Sequence, residues 1–179
     1  MNYVFLADGF EEIEALAVVD ILRRADLEVA TVSISNGYDV IGAHGIEVAA
    51  DVMLSDIDAD VEDYLILPGG MPGSDNLRAC APLCSMLKSH FAGGGHVAAI
   101  CAAPYILGEL GILKGAEAIC YPGFEERLAG ATISENPVCK SGNIITGKGP
   151  GVAMQFALAI VEEQCGASVA AGLKAGMQM

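Results

Sequence analysis

Val97-Ala98-Ala99-Ile100-Cys101-Ala102-Ala103-Pro104, residues 97–104, is the most informative stretch of this 179-residue chain. Its apolar half predicts a short buried strand that ends on Cys101, and residues 102–110 predict a helix directly behind it. The small residues Ala102 and Ala103 suit a sharp turn between these two elements. A cysteine in such a turn lies near free backbone N–H groups and the positive end of the helix dipole, which favour the thiolate. The alternative interpretation of Cys101 is an inert, buried thiol.

The same alternation of strand and helix continues on both sides of this segment. Short apolar runs predict buried strands, and apolar residues three and four apart predict amphipathic helices. The predicted strands are residues 3–7, 27–34, 64–67, 97–100, 117–121, 138 and 143–146, with a small hairpin over 41–48. The predicted helices are residues 11–25, 81–92, 102–110, 151–165 and 169–174. This order implies right-handed βαβ units and a mostly parallel sheet covered on both faces, within one domain spanning residues 1–179.

Three loops that follow predicted strands have the composition expected of a functional site: residues 8–14, 68–73 and 101–104. Ligands of parallel α/β sheets bind beyond the carboxyl ends of the strands, which is where these loops lie. Gly69 and Gly70 let the backbone approach a ligand closely, and N–H groups in such a turn can stabilise a developing oxyanion. An ordinary tight βα loop is the alternative interpretation.

The first predicted helix opens with three glutamates and carries an apolar stripe. The apolar positions are Ile13, Leu16, Ala17, Val18, Ile21 and Leu22. Glu11 and Glu12 are interpreted as solvated charges at the helix start, where carboxylates are favoured. Glu14 could instead point inward over the strand ends. Burial there would raise the pKa of its carboxyl and allow it to donate a hydrogen bond to a sulfur.

The composition excludes several classes of protein. Apolar residues make up 53% of the chain, which rules out intrinsic disorder. Nine Lys and Arg stand against 23 Asp and Glu, and the net charge of −14 disfavours nucleic-acid and membrane partners. No secretory leader and no apolar run of about 20 residues is visible. The six cysteines indicate reduced thiols in a cytoplasmic protein and no disulfide scaffold.

Several motif near-matches are discarded. Residues 142–148 have the spacing of a phosphate-binding loop, but Gly149 stands where Ser or Thr would hold magnesium. Cys80 and Cys84 share a helix face without the second ligand pair that a zinc site requires. His90 and His96 are interpreted as surface or loop residues. We therefore expect neither a cofactor nor a metal ion.

Taken together, these segments resemble the ThiJ/PfpI superfamily over nearly the whole chain. The resemblance points to its Parkinsonism-associated deglycase-like branch, which includes the bacterial YajL-like proteins. It rests on ADGFEEIEALAVVDILRRA (residues 7–25), LILPGGMPG (65–73), AAICAAP (98–104) and GKGPGVAMQFALAIVE (147–162). It implies a flavodoxin-like, class I glutamine amidotransferase-like three-layer sandwich that forms a homodimer.

The resemblance also implies roles for particular residues. Cys101 would be the nucleophile, Glu14 the carboxyl bound to its sulfur, and Gly69, Gly70 and Ala102 the backbone lining of the oxyanion site. Further candidates for the pocket are Arg24, His44 and Tyr121. Ala102 stands where the protease-like branch has a histidine, so a peptidase is disfavoured. Tyr121 stands where many deglycase-like members have a histidine, which YajL-like proteins also lack. His44 stands where many relatives have an arginine.

Three functions follow as hypotheses. The first is a stress-protection enzyme of the glyoxalase or deglycase type, a hydrolase or lyase that acts on small reactive carbonyls or glycated adducts, and not a kinase. The second is a redox sensor or chaperone with an oxidisable Cys101. The third is a dimeric binding module that uses the pocket only for recognition.

Overall fold

The computed structural model describes all residues from Met1 to Met179 and contains one large sheet. In chain order its strands are β1 (Asn2–Leu6), β2 (Val29–Ser33), β3 (Asp39–Ile41), β4 (Glu47–Ala49), β5 (Val52–Met53), β6 (Tyr64–Leu67), β7 (His96–Ile100), β8 (Glu117–Ala118), β9 (Thr132–Ile133), β10 (Val138–Ser141) and β11 (Ile144–Gly147). The large sheet has the order β10-β11-β7-β6-β1-β2-β5. Only β10 is antiparallel to its neighbour. The five parallel strands β2-β1-β6-β7-β11 reproduce the flavodoxin-like order, which confirms the predicted fold class.

Six α-helices cover the sheet. They are α1 (Glu12–Arg24), α2 (Gly73–Ala79), α3 (Ala81–Ala92), α4 (Pro104–Glu109), α5 (Ala153–Cys165) and α6 (Ala167–Gly176). None of them is long and apolar enough to cross a membrane. The predicted helices are all present, whereas α2 was not expected, because its sequence GSDNLRA has only one large apolar residue, Leu77.

Two hydrophobic clusters, one on each face of the sheet, give the three layers. Alternate residues of β1 contribute to them: Val4 and Leu6 pack with α1 and α5, whereas Tyr3 and Phe5 pack with α2, α3 and α4. Side chains of a strand alternate between the two faces, so a strand buried on both sides is apolar throughout. This double burial explains why β1, β6 and β7 are continuous apolar runs in the sequence.

One predicted strand is shorter than expected, whereas the predicted hairpin is present. The predicted strand 117–121 is reduced to β8, which pairs with β9 in a separate two-stranded sheet. Residues 119–121 leave this sheet because the N–H of Tyr121 donates to the Cys101 carbonyl (2.7 Å) and that of Ile119 to the Thr146 hydroxyl (3.0 Å). The predicted hairpin over 41–48 forms as β3 and β4, apart from the large sheet.

The apolar stripe of α1 divides into two faces. Ala15, Val18 and Ile21 are buried against the sheet, but Ile13 and Leu16 are 58% and 39% exposed. Glu14 occupies an inward position in their place and is completely buried. Ile13 and Leu16 therefore form a second apolar face of α1, which is turned to the solvent and lies outside the core of the chain.

Candidate active site

The three loops singled out in the sequence converge at the carboxyl ends of the central strands. The N–H of Glu11 donates to the Gly69 carbonyl (3.0 Å), and the N–H of Gly73 donates to the Gly9 carbonyl (3.1 Å). Gly69 in turn lies against Cys101, because a Cβ added at Gly69 would be 2.6 Å from Cys101 Cβ. The first two loops therefore form one rigid wall beside the cysteine that ends β7.

Cys101 has a backbone conformation that is unusual for a residue with a side chain. Its φ is +65°, in the left-handed region that costs an ordinary residue of order 1–3 kcal/mol. Hydrogen bonds hold this conformation from both sides: its N–H donates to the Gly147 carbonyl (2.9 Å), and its carbonyl accepts from the N–H of Tyr121 (2.7 Å). The thiol is 9% exposed at this sharp turn. The predicted strand-to-helix turn is thus present, with α4 starting three residues later.

Glu14 is the side chain that α1 directs at the cysteine. Its Oε2 accepts a hydrogen bond from the N–H of Gly69 (2.7 Å), while Oε1 is buried without a hydrogen-bond partner. The Cys101 thiol interacts with this carboxyl and lowers its pKa, but burial outweighs that effect and raises the pKa of Glu14 to about 7. The inward orientation and the raised pKa of Glu14 agree with the prediction from the sequence.

The thiol of Cys101 does not follow the expectation of a lowered pKa. Burial and the negative charge of Glu14 raise its pKa, and the N–H groups of Ala102 and Gly70 lower it without compensating. The helix behind the cysteine has only six residues, so its dipole is weak at the sulfur. Because the pKa of both groups is raised, the pair carries at most one negative charge near neutral pH and titrates as a unit.

The three backbone groups proposed for the oxyanion site divide into two kinds. The N–H of Gly69 is already used by Glu14, so this residue positions the carboxyl and leaves no donor for a substrate. The N–H groups of Gly70 and Ala102 both point at the sulfur of Cys101 and have no oxygen partner in the protein. Gly70 has φ +90°, which glycine adopts without strain. Two free donors beside a nucleophile are the arrangement that an oxyanion hole requires.

Glu11 and Glu12 are buried, not solvated as the sequence suggested. Glu11 is the N-cap of α1, and its Oε2 accepts from the N–H of Glu14 (2.7 Å). Glu12 accepts from both the N–H and the Nδ1 of His44 (2.7 Å each), which ties the β3–β4 turn to the start of α1. Ligand atoms of these three residues lie within 4.8 Å of one another, a spacing that suits a metal ion. Their hydrogen bonds account for the arrangement without one.

The remaining candidates lie at different distances from the cysteine. Tyr121 adjoins it through the backbone, and its side chain is 47% exposed. Arg24 lies ten residues beyond Glu14 on the same helix, about 15 Å along its axis, and pairs with Asp20 (2.6 Å). The structure therefore does not bring Arg24 to the site of its own chain. Lys148, in the glycine-rich segment that follows β11, was not singled out as a site residue from the sequence, and it lines a small pocket together with Tyr121.

Two further cysteines and two histidines lie away from Cys101 and contribute to the packing of the fold. Cys80 is the N-cap of α3, and the buried Cys84 thiol donates to the Arg78 carbonyl (3.2 Å). His90 was interpreted as a surface residue, but it is 9% exposed, with Nε2 3.0 Å from the Asp63 carbonyl. His96 stacks on Tyr64 at the opposite end of β7 from Cys101.

Comparison with known proteins places this geometry in a family. Residues 2–163 match the model of the DJ-1/PfpI family. Protein DJ-1 homolog B of Arabidopsis thaliana is 43% identical over 163 residues, which cover 90% of the chain but only 37% of that longer protein. The glutathione-independent glyoxalase DJR-1.2 of Caenorhabditis elegans is 37% identical, with 85% of the chain and 81% of the relative covered. The solved structure of oxidized Toxoplasma gondii DJ-1 superposes with a TM-score of 0.94 at 37% identity, covering 99% of this chain and 97% of that one.

Proposed function

Since the chain belongs to the DJ-1/PfpI family, we propose that it is a cysteine-dependent enzyme that acts on small reactive carbonyl compounds. One arrangement carries this proposal: the buried Glu14 carboxyl and the free N–H groups of Gly70 and Ala102 all face the sulfur of Cys101. A nucleophile, a proton acceptor and an oxyanion hole are the three parts that addition to an aldehyde requires. The glyoxalase among the relatives supports the same class of substrate.

The nucleophile forms by proton transfer within the pair. Above a pH of about 7 the Glu14 carboxylate accepts the proton of the Cys101 thiol as the sulfur attacks. An S–C bond forms at the aldehyde carbon, and the carbonyl π electrons move to oxygen. The N–H groups of Gly70 and Ala102 stabilise that oxyanion, which then takes the proton back from Glu14. The product of this step is a hemithioacetal.

A 2-oxoaldehyde can continue from the hemithioacetal without an external oxidant. The C1 proton is transferred to C2 and the proton of the C1 hydroxyl to the oxygen on C2, so that C1 is oxidised to a thioester while the neighbouring carbonyl is reduced to an alcohol. Water then attacks the thioester, the C–S bond breaks, and the Cys101 thiol is regenerated with a 2-hydroxy acid as product. Glu14 is the only titratable side chain among the groups that act on the pKa of Cys101, so it serves each proton transfer.

The test is turnover of methylglyoxal by parent and variants. Cys101→Ser should abolish turnover, because the hydroxyl is a far weaker nucleophile, whereas Cys139→Ser should retain it. Cys139 is the matched control: it is also a buried thiol whose pKa is raised by burial, but it lies on the edge strand β10. Glu14→Gln should lose about 10²–10⁴-fold in kcat, the usual contribution of a general base. Equal rates for Cys101→Ser and parent would eliminate the proposed reaction.

We further propose that the protein is a homodimer built on the second apolar face of α1. Ile13 on that face and Ile41 and Ile46 of the β3–β4 hairpin are each at least 50% exposed. The hairpin is bound to the start of α1 through His44 and Glu12, so these side chains belong to neighbouring elements. Exposed apolar side chains grouped in this way are typical of an interface.

A second function, redox sensing, is favoured by the same two free N–H groups. Peroxide oxidises the Cys101 thiolate to a sulfenate with release of water, and a second peroxide gives the sulfinate. Gly70 and Ala102 would bind the sulfinate oxygens, and Glu14 in its protonated form would donate to them. The Toxoplasma relative is itself known in an oxidized form. Mild peroxide should add two oxygen atoms to Cys101 alone, whereas oxidation spread over the six cysteines would contradict this role.

A further inference from the structure

A small pocket lies between two segments that are tied to the backbone of Cys101. It has a volume of about 280 Å³ and is lined by residues 121–122 and 148–152. Both segments are bonded to the backbone of Cys101, because Tyr121 donates to its carbonyl and Gly147, next to Lys148, accepts from its N–H. The walls of the pocket are therefore fixed relative to the nucleophile.

The lining is apolar apart from one charge. Tyr121 presents a half-exposed ring, and Gly149 lies against it so closely that an added Cβ would be 3.2 Å from Tyr121 Cδ2. Lys148 is the only charged side chain among the lining residues. It is exposed and makes no ion pair. Lys88, Lys114 and Lys174 are unpaired as well, but only Lys148 directly follows a residue that is bonded to the backbone of Cys101.

Lys148 places a positive charge in the segment that directly follows Gly147, the residue bonded to the N–H of Cys101, in a chain with a net charge of −14. The charge of such a protein repels anions from most of its surface. The unpaired ammonium group of Lys148 makes the electrostatic potential at the pocket more positive. It offers three N–H donors to a carboxylate or a similar oxyanion.

We propose that Lys148 is the specificity-determining residue of the site and selects carbonyl substrates that carry a carboxylate close to the aldehyde. This proposal rests on the proposed carbonyl chemistry and narrows it to anionic substrates. The aldehyde would add to Cys101, while the carboxylate would lie in the pocket with its charge on the Lys148 ammonium. Tyr121 and Gly149 would contact the apolar part of the substrate.

The first test measures the local charge without any turnover. Iodoacetate and iodoacetamide both alkylate a thiol, with an S–C bond formed, the C–I bond broken, iodide released and the thiol proton lost. Only iodoacetate is charged, so the ratio of its rate to that of iodoacetamide at Cys101 reports the charge beside the sulfur. Lys148→Met should lower this ratio about fivefold, the effect of one charge acting through a water-like dielectric at short range. Lys148→Arg should keep it, and so should Lys88→Met, which removes an exposed lysine of α3.

The second test uses glyoxylate, which contains an aldehyde and a carboxylate. It lacks a second carbonyl to reduce, so its hemithioacetal stops and protects Cys101 reversibly from alkylation. Glyoxylate should protect the parent better than neutral glycolaldehyde does, and Lys148→Met should remove this preference. An unchanged ratio and an unchanged preference in Lys148→Met would overturn the role of Lys148, even if methylglyoxal is turned over normally. Conversely, a changed ratio in a protein that turns over no carbonyl would uphold the anion site and reject the proposed enzyme.

Discussion

Glu14→Gln should gain stability relative to the parent as the pH rises from 5 to 8, because the parent loses stability over this range. In the folded state burial raises the pKa of this carboxyl from an ordinary 4.5 to about 7. Between these values the folded protein keeps a proton that the unfolded chain has already released. The stability associated with that proton is complete below pH 4.5 and is lost as the pH rises to about 7. Glutamine is neutral throughout and does not lose it.

The size of the effect follows from the pKa. A rise from 4.5 to about 7 corresponds to about 3 kcal/mol, at about 1.4 kcal/mol per pKa unit. Part of this loss has already occurred at pH 5, so the free energy of unfolding of Glu14→Gln should gain about 2–3 kcal/mol on the parent between pH 5 and 8. Glutamine preserves the local geometry, because its carbonyl oxygen can accept the N–H of Gly69 as Oε2 does.

Urea denaturation of both proteins at pH 5, 6, 7 and 8 measures this difference directly. Other ionisable groups are shared by the two proteins and cancel in it. Glu126→Gln is the matched control, because Glu126 is exposed, and its difference from the parent should stay constant with pH. Repeating the comparison with Cys101→Ala in both proteins should leave most of the effect, since burial is its largest cause. A difference between Glu14→Gln and parent that is the same at pH 5 and pH 8 would refute the burial argument.

The remaining predictions concern reactivity, packing and assembly. Alkylation of Cys101 by iodoacetamide, followed by mass spectrometry, should rise through a pH of about 7, and Glu14→Gln should lose that inflection because Glu14 sets the titration of the pair. Gly69→Ala should lower the free energy of unfolding by about 1–3 kcal/mol and abolish turnover. The reason is that the added Cβ would lie 2.6 Å from Cys101 Cβ and 2.7 Å from Glu14 Oε2. A stable, active variant would contradict this packing. Ile13→Asp should convert the proposed dimer to a monomer in analytical ultracentrifugation, whereas a parent that is already monomeric would remove the dimer proposal.

The sequence predicts those features that depend on periodicity and on strand-end chemistry. Buried strands such as β6 and β7 are apolar throughout, and the helices α3 and α5 have bounds close to those expected. Helix α2 escaped prediction because its glycine, serine and asparagine favour turns in the absence of tertiary contacts. The strand expected at 117–121 was shortened because hydrogen bonds to Cys101 and Thr146 compete with the sheet. Such competition depends on residues distant in sequence.

Details of the site that depend on three-dimensional neighbours were less predictable. That Glu14 faces Cys101 followed from its position at the start of α1, but the capture of the Gly69 N–H by its Oε2 did not. The burial of Glu11 and Glu12 depends on a capping bond and on His44, 32 residues away from Glu12. From the local sequence alone, three acidic residues at the start of a helix are expected to be exposed to solvent.

Burial of Glu14 connects the stability of the protein with its proposed chemistry. An exposed glutamate with a pKa of 4.5 would be a poor acceptor for a thiol proton at neutral pH, because a general base works best when its pKa is near the working pH. Moving the carboxyl between Gly69 and Cys101 brings its pKa to about 7, and the same transfer from water costs the fold about 3 kcal/mol once the group is charged. The two apolar clusters on either side of the sheet provide the stability that tolerates this cost. A stabilised but inactive Glu14→Gln therefore separates a carboxyl kept for catalysis from one kept for folding, because a folding role would make the same variant less stable at pH 8.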